Sequence, residues 1–232
     1  MNNGKVAVVT GASRGLGLVF ARVLAEEGYA VAVGGRDREA IERLAAGLPG
    51  SLAHPLDVGD SASVAAFRDA VLTRFGRLDV LVNNAGIGVF KRLEEFSPGE
   101  VEAIFRVNVQ GVWAVTTAFL PQLKAAKGWV MMISSDVSTR TFPTGGPYAA
   151  SKFALRALAR TLQQENPELR VLELRPGAVD TSFAGSTPGA PGKEWFLQPE
   201  TIAEAVRYAL RLPPQARLEE VVLRSSSQTP EF

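Results

Sequence analysis

An apolar run without alternation, Val6-Ala7-Val8-Val9, leads through Thr10-Gly11-Ala12-Ser13-Arg14-Gly15-Leu16-Gly17 into Leu18 to Glu27, whose apolar residues recur at helical spacing and stop at Gly28. No other stretch constrains the fold as much. A strand with no polar face must be covered on both sides, as strands of a parallel sheet are. The glycines let the backbone approach a bound group closely. The helix start adds free N–H groups and a partial positive charge, which suits a phosphate. A glycine triplet alone is a tight turn. Placed between a first strand and a first helix, it points to a dinucleotide site.

The same alternation continues along the chain. Tyr29 to Gly34, Ser51 to Leu56, Leu78 to Val82, Gly128 to Ile133, Leu169 to Leu174 and Glu219 to Leu223 have the character of further strands, with helical patterns between them. Pro55 suits an edge strand. Asp37 suits the N-cap of the second helix, and Asp60 or Ser61 that of the third. Lys91 to Pro98 has loop character, and Pro98 fits a first helical turn. Alternating strands and helices argue for one parallel sheet with helices on both faces, and for ligands at the carboxyl ends of its strands.

Composition narrows the chemistry. Of 232 residues 46% are hydrophobic, enough for one large α/β domain spanning 1–232. The 25 basic and 24 acidic residues leave a net charge of +1, which points to neither nucleic acid nor an anionic membrane. With no cysteine and His54 as the only histidine, thiol chemistry, a histidine triad and a multi-histidine metal site have no residues to work with. A structural role is expected for His54. No apolar run reaches membrane-spanning length and the start does not resemble a signal peptide, so a cytoplasmic protein is expected.

Pro147-Tyr148-Ala149-Ala150-Ser151-Lys152 puts a tyrosine and a lysine four residues apart, on one face if helical. A phenol near pKa 10 trades protons poorly at neutral pH, and a neighbouring ammonium favours its ionised form. Taken alone, the pair also fits an ordinary surface helix.

The spacing Gly-x-x-x-Gly-x-Gly after Thr10 resembles the nucleotide loop of the short-chain dehydrogenase/reductase family. Asn83-Asn84-Ala85-Gly86 after a strand, Asn108 in an otherwise apolar helix, Ser135 standing 13 residues before Tyr148, and Arg175-Pro176-Gly177-Ala178-Val179-Asp180-Thr181 extend the resemblance over residues 5 to 224. It implies a Rossmann-type doubly wound sheet of about seven strands in order 3-2-1-4-5-6-7. It also implies hydride transfer between NADP(H) and a small carbonyl or alcohol substrate. Tyr148 would be the general acid/base, Lys152 would lower its pKa and hold the nicotinamide ribose, and Ser135 would orient the carbonyl, with Ser134 the less favoured neighbour. Asn108 would distort its helix and anchor a water in a proton path.

For the cofactor, the resemblance implies contacts from Gly11, Ser13, Arg14, Gly15, Leu16 and Gly17, with Asp57 on the adenine amino group and Val58 over the ring. Asn84 would serve both the sheet and the cofactor, with Ala85 and Gly86 against the ribose. Pro176, Gly177, Val179 and Thr181 would lie near the nicotinamide, and Tyr148 and Lys152 would contact the cofactor as well. Gly35 holds the slot where NAD-dependent members carry aspartate. Arg36 follows it and Arg14 lies in the loop, which favours a 2′-phosphate; the alternative is NAD with Asp37 on the ribose.

Ser182 to Gln198, rich in glycine and proline and carrying Phe183, Trp195 and Phe196, has the composition of a substrate lid for an apolar carbonyl compound. The segment 225–232 is a polar tail of a composition compatible with disorder. Asp136, Ser138 and the chain's C-terminal ending depart from the family pattern. The resemblance further implies a homodimer or homotetramer formed through the helices of Asn108 and Tyr148. A second reading is an NADPH-binding regulatory or scaffold protein without turnover.

Overall fold

The computed structural model describes residues 4–228. Its strands are β1 (Val6–Thr10), β2 (Ala30–Gly35), β3 (Leu52–Pro55), β4 (Val80–Asn83), β5 (Trp129–Ile133), β6 (Arg170–Pro176) and β7 (Glu220–Leu223). They form one seven-stranded sheet in order β3-β2-β1-β4-β5-β6-β7, parallel at every pairing. The helices are α1 (Gly15–Glu26), α2 (Arg38–Ala46), α3 (Ser61–Phe75), α4 (Pro98–Phe105), α5 (Val112–Ala126), α6 (Gly146–Glu165) and α7 (Pro199–Arg211).

The non-alternating strands serve two cores at once, because successive side chains point to opposite faces. Ala7, Val9, Val31, Val33 and Met131 pack with Phe20 and Leu24 of α1 and Ile202 and Val206 of α7. Val6, Val8, Ala32, Val130 and Met132 pack with Phe67 of α3, Phe119 of α5 and Leu155 of α6. The rings of Phe67 and Phe119 meet edge to face at 6.2 Å. The ring of His54, in edge strand β3, lies 5.9 Å from Phe67.

Local chemistry sets the boundaries. Asp37 caps α2 by accepting from the Ala40 amide at 3.0 Å, and Asp60 caps α3 through the Ala62 amide at 3.0 Å. Ser97 and Glu100 form a reciprocal capping box around Pro98 at the start of α4. Gly76, at φ +68°, ends α3 in the left-handed region that favours glycine. Within the expected loop 91–98, Leu93–Glu95 forms a single tight helical turn. β6 runs beyond the expected Leu174 to Pro176, because β7 pairs with it as far as Leu223.

Between α4 and α5, Arg106–Gly111 continues as a π-helical stretch, so Pro98–Ala126 is one 29-residue helix. Against the expectation that no apolar run reaches membrane-spanning length, an 18-residue window of this helix is, by length and composition alone, apolar enough to do so, with a mean hydropathy of 1.2. Its apolar side is nevertheless committed to the sheet, with Val112, Val115, Phe119 and Leu123 buried in the core.

Candidate functional site

The ends of β1 and β4 are pinned together by two side chains. The Thr10 hydroxyl accepts from the amides of Asn84 and Ala85, both at 3.0 Å. The Asn84 amide donates to the carbonyls of Thr10 (3.0 Å) and Gly11 (3.1 Å). The glycine loop thereby lies flat against Asn84-Ala85-Gly86. Gly11 sits at φ +65°, and a Cβ there would stand 2.8 Å from the Ala85 Cα. A Cβ on Gly17 would overlap the Gly11 carbonyl oxygen, a backbone atom with nowhere to move. Gly17→Ala is therefore expected to destabilise the fold by about 1–3 kcal/mol and to weaken dinucleotide binding. Thermal unfolding and an NADPH titration check this, and wild-type values in both would refute it. Arg14, at the N-cap of α1, makes no capping bond, so the first-turn N–H groups remain open toward the loop.

These loops line one cavity of about 650 Å³ along the carboxyl edge of the sheet. Gly11, Ser13, Arg14, Gly15 and Leu16 form part of its wall. Arg14, Arg36 and Arg43, from the segments that follow β1 and β2, also line it, with Arg43 Nη1 3.4 Å from Glu39. Arg43, on α2, carries no motif and was not legible in the sequence; only its place seven residues after Arg36, near two helical turns, could have flagged it. Asp37 also borders the cavity, with one carboxylate oxygen engaged in capping α2. Gly35 leaves room for Ser13, whose hydroxyl a Cβ at 35 would overlap. Asp57 and Val58 line the middle, with Asp57 accepting from the Gly59 amide at 2.9 Å. Ala85, Gly86, Pro176, Gly177, Val179 and Thr181 continue the wall toward the other end. Of the expected cofactor residues, Gly17 alone lies behind the wall, in the packing of the loop on Asn84.

At the far end the cavity meets Ser135, Tyr148 and Lys152. Tyr148 and Lys152 share one face of α6, with the lysine Nζ 5.7 Å from the tyrosine ring centroid. Burial pushes the Tyr148 phenol up to about 12, assisted by the negative charge of Asp136, while hydrogen bonding with the Ser135 hydroxyl acts in the opposite direction. Lys152 donates to the Ile133 carbonyl at 2.9 Å. Burial pushes Lys152 down to about 8, opposed by Glu173.

Asn108 stands behind this end rather than in the cavity wall. Its carbonyl accepts from the Ile87 amide at 2.8 Å, and its amide donates to the Ile87 carbonyl (2.9 Å) and the Ser151 hydroxyl (3.0 Å). The π-helical stretch centres on it, as a widened helix frees backbone groups around an inward polar side chain. A Cβ on Gly86 would lie 3.4 Å from Asn108 Oδ1 and 3.9 Å from Lys152 Nζ, so glycine keeps the space between the two groups open.

The depressed Lys152 pKa has a measurable consequence. Between about pH 8 and 10.5 the unfolded chain still holds a proton that the folded chain has released, so stability rises with pH across that window. Lys152→Met removes the group. The wild type should gain on the order of 3 kcal/mol relative to this variant between pH 7 and 10.5, at 1.36 kcal/mol per unit. Paired urea melts read it; a pH-independent difference would contradict it.

Three aromatic rings cluster around Tyr148, and of these Phe183 lines the cavity. Phe90 meets it edge to face at 5.4 Å and Phe183 lies at 5.7 Å. Phe142 backs Phe90 at 5.6 Å. Phe90 and Phe142 come from loops without a recognisable pattern. Of the three bulky residues in 182–198, only Phe183 lines the cavity; Trp195 and Phe196 pack on each other at 4.5 Å. The loop is fastened at its base: the Gly189 amide donates to Asp180 at 2.9 Å, and Val179 pairs with Leu197. The polar tail is also unlike the expectation. Residues 225–228 fold back onto the site, with Ser225 buried and Gln228 bonded to Asp136; residues 229–232 of the expected tail lie outside the described residues.

A seven-stranded parallel sheet with a crevice across its carboxyl edge defines a Rossmann-type α/β protein. The family described as short chain dehydrogenase matches residues 5–190, and the chain belongs to that family. The alcohol dehydrogenase of the archaeon Thermococcus sibiricus, complexed with 5-hydroxy-NADP, superposes with a TM-score of 0.95 at 51% identity, covering 98% of this chain and 99% of that one. A 3-ketoacyl-(acyl-carrier-protein) reductase from Brucella melitensis, complexed with NADH, gives a TM-score of 0.88 at 30% identity, over 96% of this chain and 98% of that one. Glycine betaine reductase of Emericella nidulans is 35% identical over 95% of this chain, which spans only 19% of that longer protein.

Proposed function

We propose that this oxidoreductase transfers a hydride reversibly between NADP(H) and a small, apolar carbonyl or alcohol compound. One observation carries the reading: a single cavity is lined both by three arginines and by Ser135, Tyr148 and Lys152. The residues present fit a nicotinamide dinucleotide. The glycine loop forms a cradle that side chains would fill. The buried Ser134 hydroxyl, in the same wall, has no hydrogen-bond partner among the described residues. The likeness to an NADP-type complex supports the 2′-phosphate reading, and Arg14, Arg36 and Arg43 are the groups that would hold that phosphate.

The bound cofactor supplies or accepts the hydride. Tyr148, protonated at neutral pH because burial holds its pKa near 12, gives its proton to the carbonyl oxygen in reduction and recovers it in oxidation. Ser135 donates a hydrogen bond to the same oxygen and orients the carbonyl. Lys152 holds the nicotinamide ribose and places a positive charge beside the phenolate formed after proton transfer. Asn108, fixed through Ile87 and Ser151, positions the water that returns a proton toward Lys152. Phe90, Phe142 and Phe183 exclude bulk water and favour apolar substituents. Self-association through α5 and α6 belongs to the same reading, since both helices expose aromatic side chains, Trp113 and Phe153.

The test is consumption of NADPH by purified protein across aldehydes and ketones of graded size, and reduction of NADP+ with the matching alcohols. Turnover with apolar carbonyls supports the reading. Tight NADPH binding without turnover on any of them would favour a binding protein instead.

A further inference from the structure

The loops after β5 and β6 carry Ser135 and the Pro176–Ala178 turn, and a segment outside every motif joins them. Beyond β7 the chain folds back so that Arg224 Nε (3.2 Å) and Gln228 Nε2 (2.8 Å) donate to Oδ2 of Asp136. Arg140 Nη2 donates to the same oxygen at 2.6 Å. The other oxygen, Oδ1, accepts from the Ser135 hydroxyl at 3.3 Å. Asp136 is only 3% exposed. A buried carboxylate needs such partners, and three donors on one oxygen hold it in a fixed place.

The opposite end of the Gln228 amide points at the second loop. Its Oε1 accepts from the Ala178 amide at 3.4 Å. Gly177 lies directly beneath, where any Cβ would overlap that oxygen, and its own amide donates to the Leu223 carbonyl at 2.8 Å. A planar side-chain amide keeps its nitrogen and oxygen at a fixed separation. One end is bonded to the serine loop and the other to the Pro-Gly turn, so the two loops cannot move apart independently.

We propose that Gln228 is a positioning residue of this site, tying the Ser135–Asp136 loop to the Pro176–Ala178 turn, with Asp136 and Arg224 as its anchor. The inference rests on the hydride-transfer reading, under which the serine loop orients the carbonyl and the turn borders the nicotinamide. The gap between the loops is then the gap across which the hydride moves, where a shift of about 1 Å costs on the order of a hundredfold in rate.

The experiment compares the wild type with Gln228→Met, which keeps length and packing but loses both polar ends. In ligand-free protein, amide hydrogen exchange at Ala178 and at Val137, whose N–H donates to Ser135 Oγ at 3.3 Å, should rise together by about tenfold, as expected for loss of hydrogen bonds of ordinary strength. In turnover, kcat for carbonyl reduction should fall by about a hundredfold, with a smaller change in KM. Gln228→Glu sets a second carboxylate against Asp136 and should lose activity likewise. The split between a large fall in kcat and a small change in KM is what a merely structural role would not give. Wild-type exchange at both amides, a rise at Ala178 alone, or wild-type kcat in Gln228→Met would overturn the proposal. A wild type that turns over no substrate would refute the hydride-transfer reading instead, and the exchange measurement would still decide the positioning role.

Discussion

Tyr148→Phe is expected to lower kcat for carbonyl reduction by about a thousandfold, within the range of 10² to 10⁴ that a positioned acid contributes, while leaving NADPH affinity within about twofold. The substitution removes one oxygen from a side chain whose ring stays wedged between Phe90 and Phe183. Packing and the cavity wall are therefore preserved, and only the proton is lost. The buried phenol also gives the two directions different pH profiles. Reduction uses the protonated form, which persists to high pH because the pKa lies near 12. Oxidation uses the ionised form, so its rate should climb with pH over the same range. Steady-state rates in both directions, with an NADPH titration of the variant, check this. Unchanged turnover in Tyr148→Phe would remove the residue from the chemistry.

Arg36→Ser should weaken NADPH binding by about 10- to 100-fold and leave NADH binding unchanged, the size expected for a lost hydrogen bond between charged groups. The argument is local. Arg36 lines the cavity, as Arg14 and Arg43 do, and Asp37 beside it is engaged in capping α2. A cluster of guanidinium groups suits a phosphate and has no partner in a cofactor that ends in a free ribose hydroxyl. Fluorescence titrations of both cofactors on both proteins give the answer. Equal losses for NADPH and NADH would mean that Arg36 supports the loop rather than the 2′-phosphate. A gain for NADH would identify Asp37 as a ribose ligand.

What was legible in the sequence, and what was not, divides along a physical line. Parallel strands buried on both faces lack alternation, so Val6-Ala7-Val8-Val9 and its counterparts announced the sheet, and Pro55 marked its edge. Thr10, the glycine loop and Asn84-Ala85-Gly86 were readable because each immediately follows a strand, where an open sheet gathers its ligand groups. Arg43, Phe90 and Phe142 were not, because they enter the site from a helix flank and two irregular loops whose course no local pattern dictates. Asp136 was seen as a departure, yet its meaning depends on Arg224 and Gln228, roughly ninety residues away in sequence. A tail judged by composition alone looked unconstrained. It is held because a buried carboxylate needs donors, and Gln228 in the tail, with Arg224 just before it, supplies two of them. The tyrosine and lysine were found at their expected spacing, but the pKa argument built on them was incomplete. Burial, which a sequence does not display, pushes the tyrosine up and the lysine down.

The central claim is that a hydride passes from NADPH to a carbonyl carbon held beside Tyr148. The most direct measurement supplies NADPH with deuterium in both positions on its hydride-donating carbon, together with a carbonyl compound the enzyme turns over, and follows the label by mass spectrometry. The account predicts one deuterium on the carbinol carbon of each alcohol formed, at a rate that collapses in Tyr148→Phe. Alcohol formed without the label, or labelled equally fast by the phenylalanine variant, would contradict it.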